Sequence, residues 1–151
     1  HMNNLSSPIF KFSENDLNSQ EQIIFYQYWL KLKGNKNVPK RSDFNPMDIP
    51  KALPFVIMAS VLSDPARIKL RLIGSRCDVP VNYSGKCLDE FPVLKPLNEM
   101  HLKNINSKKP FIYSNSLELA QDTIKRYSSV VVPFSSDGEN IDIIMSCHCE
   151  L

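Results

Sequence analysis

Apolar residues cluster and then alternate with polar ones along Phe55–Gly74, a pattern that predicts a β-hairpin. Phe55–Ser63 is rich in Val, Ile and Leu, which favour strands. Asp64 and Pro65 indicate a turn, because proline fixes φ and an aspartate side chain bonds nearby amides. In the second strand apolar residues alternate with basic ones. A period of two therefore predicts one buried face formed by Ile68, Leu70 and Leu72.

The pattern also predicts a helix and three strands after the hairpin. Val93–Lys108 has helical spacing, with Leu94, Leu97, Met100, His101 and Ile105 on one face. The strands are expected at Phe111–Leu119, Thr123–Phe134 and Ile141–Glu150. Asp137 and Gly138 favour a hairpin turn between the last two strands.

Before the hairpin, Ser19–Lys33 has the pattern of an amphipathic helix. Ser19 and Gln22 are spaced as a capping box, and Gly34 stands where helices often end. One apolar stripe comprises Phe25, Tyr28, Trp29 and Leu32. Two hypotheses remain for this stripe: it anchors the helix on the domain, or it forms a dimer interface, where aromatic side chains often contribute.

The order of elements predicts an α+β fold. A helix, two strands, a helical middle and three strands suggest one five-stranded antiparallel sheet, with helices on one face and an N-terminal helix. At 151 residues a single domain is expected. Residues 1–18 are assigned to a tag remnant and an irregular arm, with local order at Ile9–Phe12. Residues 19–34 form the N-terminal helix and 35–151 the domain proper.

Charge and composition exclude several classes of partner. The 18 basic and 16 acidic side chains leave a net charge of +2, which is too balanced for nucleic-acid binding. No apolar run is long enough to span a membrane. No basic region precedes an apolar core at the N-terminus, so we expect a cytoplasmic protein with reduced cysteines. On a strand, Cys147 and Cys149 point to one face and His148 points to the other. This arrangement argues against a metal site.

Particular residues, together with this order of elements, resemble a bacterial PAS-like family of small, mostly stand-alone domains. The resemblance covers Gln20–Leu151. Its residues are Tyr28–Gly34, Pro39, Arg41–Pro46, Ile49, Leu53–Pro54, Arg71–Gly74, Ser84–Lys86, Val132–Phe134 and Asp137–Gly138. Ser84 stands where the family pattern has threonine. The resemblance implies a sensory or protein-interaction fold that often dimerises through an N-terminal helix, and it supplies no catalytic residue.

No cofactor and no enzymatic activity are predicted. PAS relatives that bind haem use a histidine on the central helix, where His101 lies, but one histidine is little evidence. The context of Cys77 lacks the asparagine, phenylalanine and glutamine of the flavin photosensors of this fold. Cys147 and His148 point to opposite faces, so they do not form a nucleophile and base pair.

The resemblance favours a non-enzymatic sensory or signalling module that binds a small apolar ligand, a protein partner, or both. A pocket between sheet and helices would be lined by Leu72, Met100, Ile105, Tyr113, Val130 and Met145. Alternatively, these side chains simply fill the core. A second hypothesis is a structural or adaptor protein with a filled core that forms a homodimer through its N-terminal helix. A third is a small enzyme.

Overall fold

A computed structural model describes residues 4–120 and 123–151 of the protein. It has an α+β fold with a five-stranded antiparallel sheet, as predicted, and the strand order is β2-β1-β5-β4-β3. The helices and strands are α1 Gln20–Lys33, β1 Val56–Leu62, β2 Arg67–Ile73, α2 Lys95–Asn104, β3 Phe111–Ala120, β4 Thr123–Phe134 and β5 Ile143–Glu150. Short 3₁₀ turns flank α2 and fill the segment between α1 and β1.

Turn chemistry explains how the strands are connected. Between β4 and β5, the Asp137 carboxylate accepts hydrogen bonds from the backbone N–H groups of Glu139 and Asn140, both at 2.8 Å. Gly138 has φ +89°, a conformation that glycine adopts at little cost. The predicted turn is therefore confirmed, and it brings the C-terminal strand back into the centre of the sheet beside β1.

A β-bulge in β2 overturns one prediction. Ala59 pairs with Leu70 and Met58 pairs with Leu72, so Arg71 is an extra residue in the ladder. One inserted residue exchanges the two faces of the strand beyond it. Leu72 consequently leaves the face of Ile68 and Leu70 and is 60% exposed. The prediction that all three residues share a buried face is wrong for Leu72.

The sheet is covered on both faces. α2 and the turns before it lie on one face, against a cluster that includes Ile68, Leu70, Phe111 and Ile144. α1 lies on the opposite face, where Phe25 and Trp29 pack against Val130, Val132, Phe134 and Met145. The Trp29 indole N–H donates to the Pro133 carbonyl at 2.9 Å and fixes the position of the helix.

The described part of the N-terminal arm pairs with the edge of the sheet. Ser6 donates its backbone N–H to the Ser114 carbonyl at 2.8 Å. Ile9 and Ile112 exchange backbone hydrogen bonds at 2.9 and 3.0 Å. The arm thus covers the free edge of β3, which would otherwise offer unpaired backbone groups to another chain.

Candidate functional site

A cavity of about 380 Å³ separates the sheet from α2. Its apolar walls come from β1, β2 and the segment around α2, and include Ile57, Ala59, Ile68, Leu70, Leu94 and Leu97. Ligand sites are typically concave and mostly apolar, with volumes of about 300–1,000 Å³. The size and the walls of this cavity suit a small organic molecule.

Polar side chains form the part of the floor that lies on β3, β4 and β5. The strand register places Tyr113 opposite Ser129, and Ser129 opposite His148. Both nitrogens of the His148 ring are hydrogen-bonded, Nδ1 with Ser129 Oγ and Nε2 with Ser146 Oγ. The two hydroxyls fix the orientation of the imidazole at the cavity surface.

Two tyrosine hydroxyls extend this polar floor. Asn115 Nδ2 donates to the Tyr127 hydroxyl at 3.2 Å. The Tyr113 hydroxyl interacts with those of Tyr127 and Ser129. Burial raises the pKa of Tyr113 and of Tyr127, so both phenols are uncharged at neutral pH. The floor therefore offers neutral hydrogen-bonding groups.

His101 reaches the cavity from α2 on the opposite side. Its side chain is buried, with Phe111 and Tyr113 rings 6.0 and 6.1 Å from its own. Burial lowers the pKa of His101 to about 3 and that of His148 to about 4. Both imidazoles are uncharged at neutral pH, and each nitrogen then acts as a hydrogen-bond donor or acceptor.

The charged residues of the cavity lie at its mouth. Lys125 Nζ is 3.6 Å from an Asp78 carboxylate oxygen and 3.4 Å from one of Glu150. Arg76 and Arg126 line the same opening. Charge is thus confined to the entrance, and the interior presents apolar and neutral polar groups.

The arrangement suits binding better than catalysis. His148 is flanked by two serines, but within residues 4–120 and 123–151 no carboxylate hydrogen-bonds to it. The lowered pKa also makes its imidazolium costly, and a general base needs that form. Cys77 lines the cavity as a thiol, because burial raises its pKa to about 12. The described part of the chain holds no cluster of three or more groups that could ligate a metal.

One of the six predicted pocket residues, Tyr113, lines the cavity. Met100 is buried in the surrounding core, and Ile105 borders a small crevice beside His101. Val130 and Met145 pack on the α1 face, and Leu72 lies in a groove on that face. The prediction favoured the most apolar strand residues, and these face α1. The polar residues that alternate with them, Tyr127, Ser146 and His148, were the signal that sequence reasoning missed.

The predicted interface residues of α1 lie in two environments. Phe25 and Trp29 are 1% and 2% exposed, buried against the protein's own sheet. Tyr28 and Leu32 are half-buried, and the Tyr28 hydroxyl donates to Asp48 at 2.7 Å. The first two side chains have no free surface for a partner. A dimer interface through α1 stays a prediction.

A family model described as a PAS domain matches residues 17–79. This part of the chain is similar to PAS-domain sequences. The match runs from the start of α1 through the β1–β2 hairpin to the segment at the cavity mouth. The predicted PAS resemblance is therefore confirmed, and the five-stranded antiparallel sheet accords with a PAS-like fold. No curated protein and no solved structure matches the chain.

Proposed function

We propose that the protein is a non-enzymatic PAS-like sensory or signalling module that binds a small ligand between its sheet and α2. One observation carries the proposal: the cavity combines apolar walls with neutral hydrogen-bonding groups that converge from both sides, His101 from α2 and Tyr113 and His148 from the sheet. Such a combination is the usual mark of a small-molecule site.

The position of the cavity suggests how occupancy could be signalled. Its walls include β5, the central strand, and β1 beside it, and the other faces of both strands carry the α1 core. A ligand that shifts these strands would also shift the packing surface of α1. Such a change in α1 would be available to a protein partner.

Native mass spectrometry of the freshly purified protein tests the proposal. We expect the mass of the native protein to exceed that of the denatured protein by the mass of one retained molecule. Ala59 points into the cavity from the centre of the sheet, so Ala59→Phe should fill the space and abolish retention. Met58→Leu, the neighbouring residue on the opposite face, is the matched control and should retain the molecule. Equal retention by both variants would place the molecule elsewhere.

The alternative function is an adaptor that dimerises through α1. Tyr28, Leu32 and the exposed Leu30 support it, because they leave some apolar surface on the helix. The burial of Phe25 and Trp29 weighs against it. The same mass spectra would favour the adaptor if they showed a ligand-free dimer.

A further inference from the structure

We propose that the cavity binds an uncharged compound of one or two rings that carries a hydroxyl, carbonyl or ring-nitrogen group, and that His101 hydrogen-bonds this group. The inference rests on the proposed function, because it names the class of molecule that the same cavity takes.

His101 is the polar group that points to a ligand. Its side chain is 7% exposed and lines the cavity. Its ring lies near those of Phe111 and Tyr113, and within residues 4–120 and 123–151 no hydrogen bond to its imidazole is formed. Buried polar groups are nearly always hydrogen-bonded, since an unmet one is costly. His148 differs, because two serine hydroxyls already satisfy both of its nitrogens. A ligand in the cavity can supply the partner that His101 lacks.

The distribution of charge excludes an ionised group from the interior. His101, His148, Tyr113 and Tyr127 are all uncharged at neutral pH, so none provides a counter-charge. An unpaired charge in such surroundings is strongly unfavourable. At the mouth, Lys125 is already engaged with two carboxylates. The interior therefore favours a neutral molecule.

The shape of one wall favours a ring. Tyr113 stands edge-on to His101 at 84°, and Tyr127 edge-on to His148 at 76°. Aromatic rings associate best in edge-to-face or offset arrangements, and a flat ligand can extend this pattern. A volume of about 380 Å³ is near the lower end for ligand sites, which limits the ligand to one or two rings.

Three matched probes test this class on the full chain after removal of any copurified molecule. At pH 7.5, 2-naphthol is neutral with a hydroxyl, naphthalene lacks the polar group, and 2-naphthoate carries a charge. Affinities come from calorimetry, and NMR of the histidine rings reports the location. We expect 2-naphthol to bind at least about 10-fold more tightly than 2-naphthoate and to shift the His101 ring signals, because burying the carboxylate is costly.

Variants of His101 test its role. His101→Phe keeps the bulk of a ring and removes the hydrogen bond, so naphthol binding should weaken about 2- to 10-fold and naphthalene binding should not change. His101→Gln, which can still hydrogen-bond, should stay within about twofold of the wild type. Lys103→Gln, at an exposed position of the same helix, is the control. If His101→Phe does not fold, the wild-type protein provides the test. Binding of naphthol at least about twofold tighter than that of naphthalene would support the hydrogen bond, and equal binding would contradict it.

The remaining outcomes distinguish failure of the proposed ligand class from failure of the proposed binding function. If 2-naphthoate binds as well as 2-naphthol with shifts at His148, the ligand class is wrong and the cavity is still a binding site. Equal loss of naphthol and naphthalene binding in His101→Phe would likewise overturn the role of His101. If no probe shifts either histidine ring, both the ligand class and the proposed function fail.

Discussion

The two faces of the same sheet differ in how they are filled. Between α1 and the sheet, large side chains such as Phe25, Trp29 and Phe134 are at most 2% exposed and interlock closely, and the groove at Leu72 lies outside this contact. On the α2 face, a cavity of about 380 Å³ remains, with histidines and tyrosines at its walls. Adjacent residues of one strand, such as Cys147 and His148, therefore have opposite surroundings. The packing against α1 stabilises the fold, and the α2 face can therefore contain a cavity.

The largest expected loss of stability comes from removing a large buried side chain between α1 and the sheet. Trp29→Ala should lower the free energy of unfolding by about 3–5 kcal/mol, because it removes a buried indole and leaves a space. Urea unfolding followed by circular dichroism measures this loss. Leu30→Ala, next in the helix and 43% exposed, is the control and should cost well under half as much. Similar losses from both variants would mean that α1 is not anchored on the sheet.

Low pH should destabilise the protein through the histidines on the α2 face of the sheet. Burial holds the pKa of His101 at about 3 and that of His148 at about 4, against an ordinary value of 6.5. The unfolded chain thus binds more protons than the folded one below pH 6.5, so stability falls as the pH falls. We expect a loss of roughly 2–4 kcal/mol between pH 6.5 and 4.5, since each histidine contributes at most about 1.4 kcal/mol per pH unit.

Unfolding titrations across this pH range provide the measurement. The double variant His101→Gln, His148→Gln should have a much flatter pH profile, because glutamine does not titrate. A wild-type profile that is flat from pH 6.5 to 4.5 would show that the imidazoles are solvated rather than buried.

The smallest effect compares neighbouring residues on the two faces. Val131 faces α2 and Val132 faces α1, and they are 2% and 0% exposed. Val132→Ala should cost about 1–3 kcal/mol. Val131→Ala should cost less by about 0.5–1 kcal/mol, because Val131 borders the crevice beside His101 and neighbouring side chains can relax into the space that is left. Urea unfolding of both variants makes the comparison, and a greater cost at Val131 would contradict it.

Local patterns predicted most of the fold. Ser19 caps α1 by accepting from the Gln22 N–H at 3.1 Å, as its spacing from Gln22 predicted. This cap depends on residues within a few positions of one another. The hairpin at Asp64 and the turn at Asp137 were predictable for the same reason.

The bulge and the site depend on contacts distant in sequence. Nothing in the alternation of Ile68 to Leu72 indicates that Arg71 is skipped in the ladder. Likewise, strand alternation separates Val130 from Ser129 but does not say which of the two faces the cavity. That choice depends on the packing of α1 and α2, which no short pattern contains.

Crystals exposed to xenon would test the contrast between the two faces most directly. Xenon enters apolar cavities and has no place in a filled core. The account predicts xenon density between α2 and the sheet, beside Ala59 and Leu97, and none between α1 and the sheet. Xenon between α1 and the sheet would contradict it. So would an α2 face whose side chains have closed the space and hold neither xenon nor a ligand.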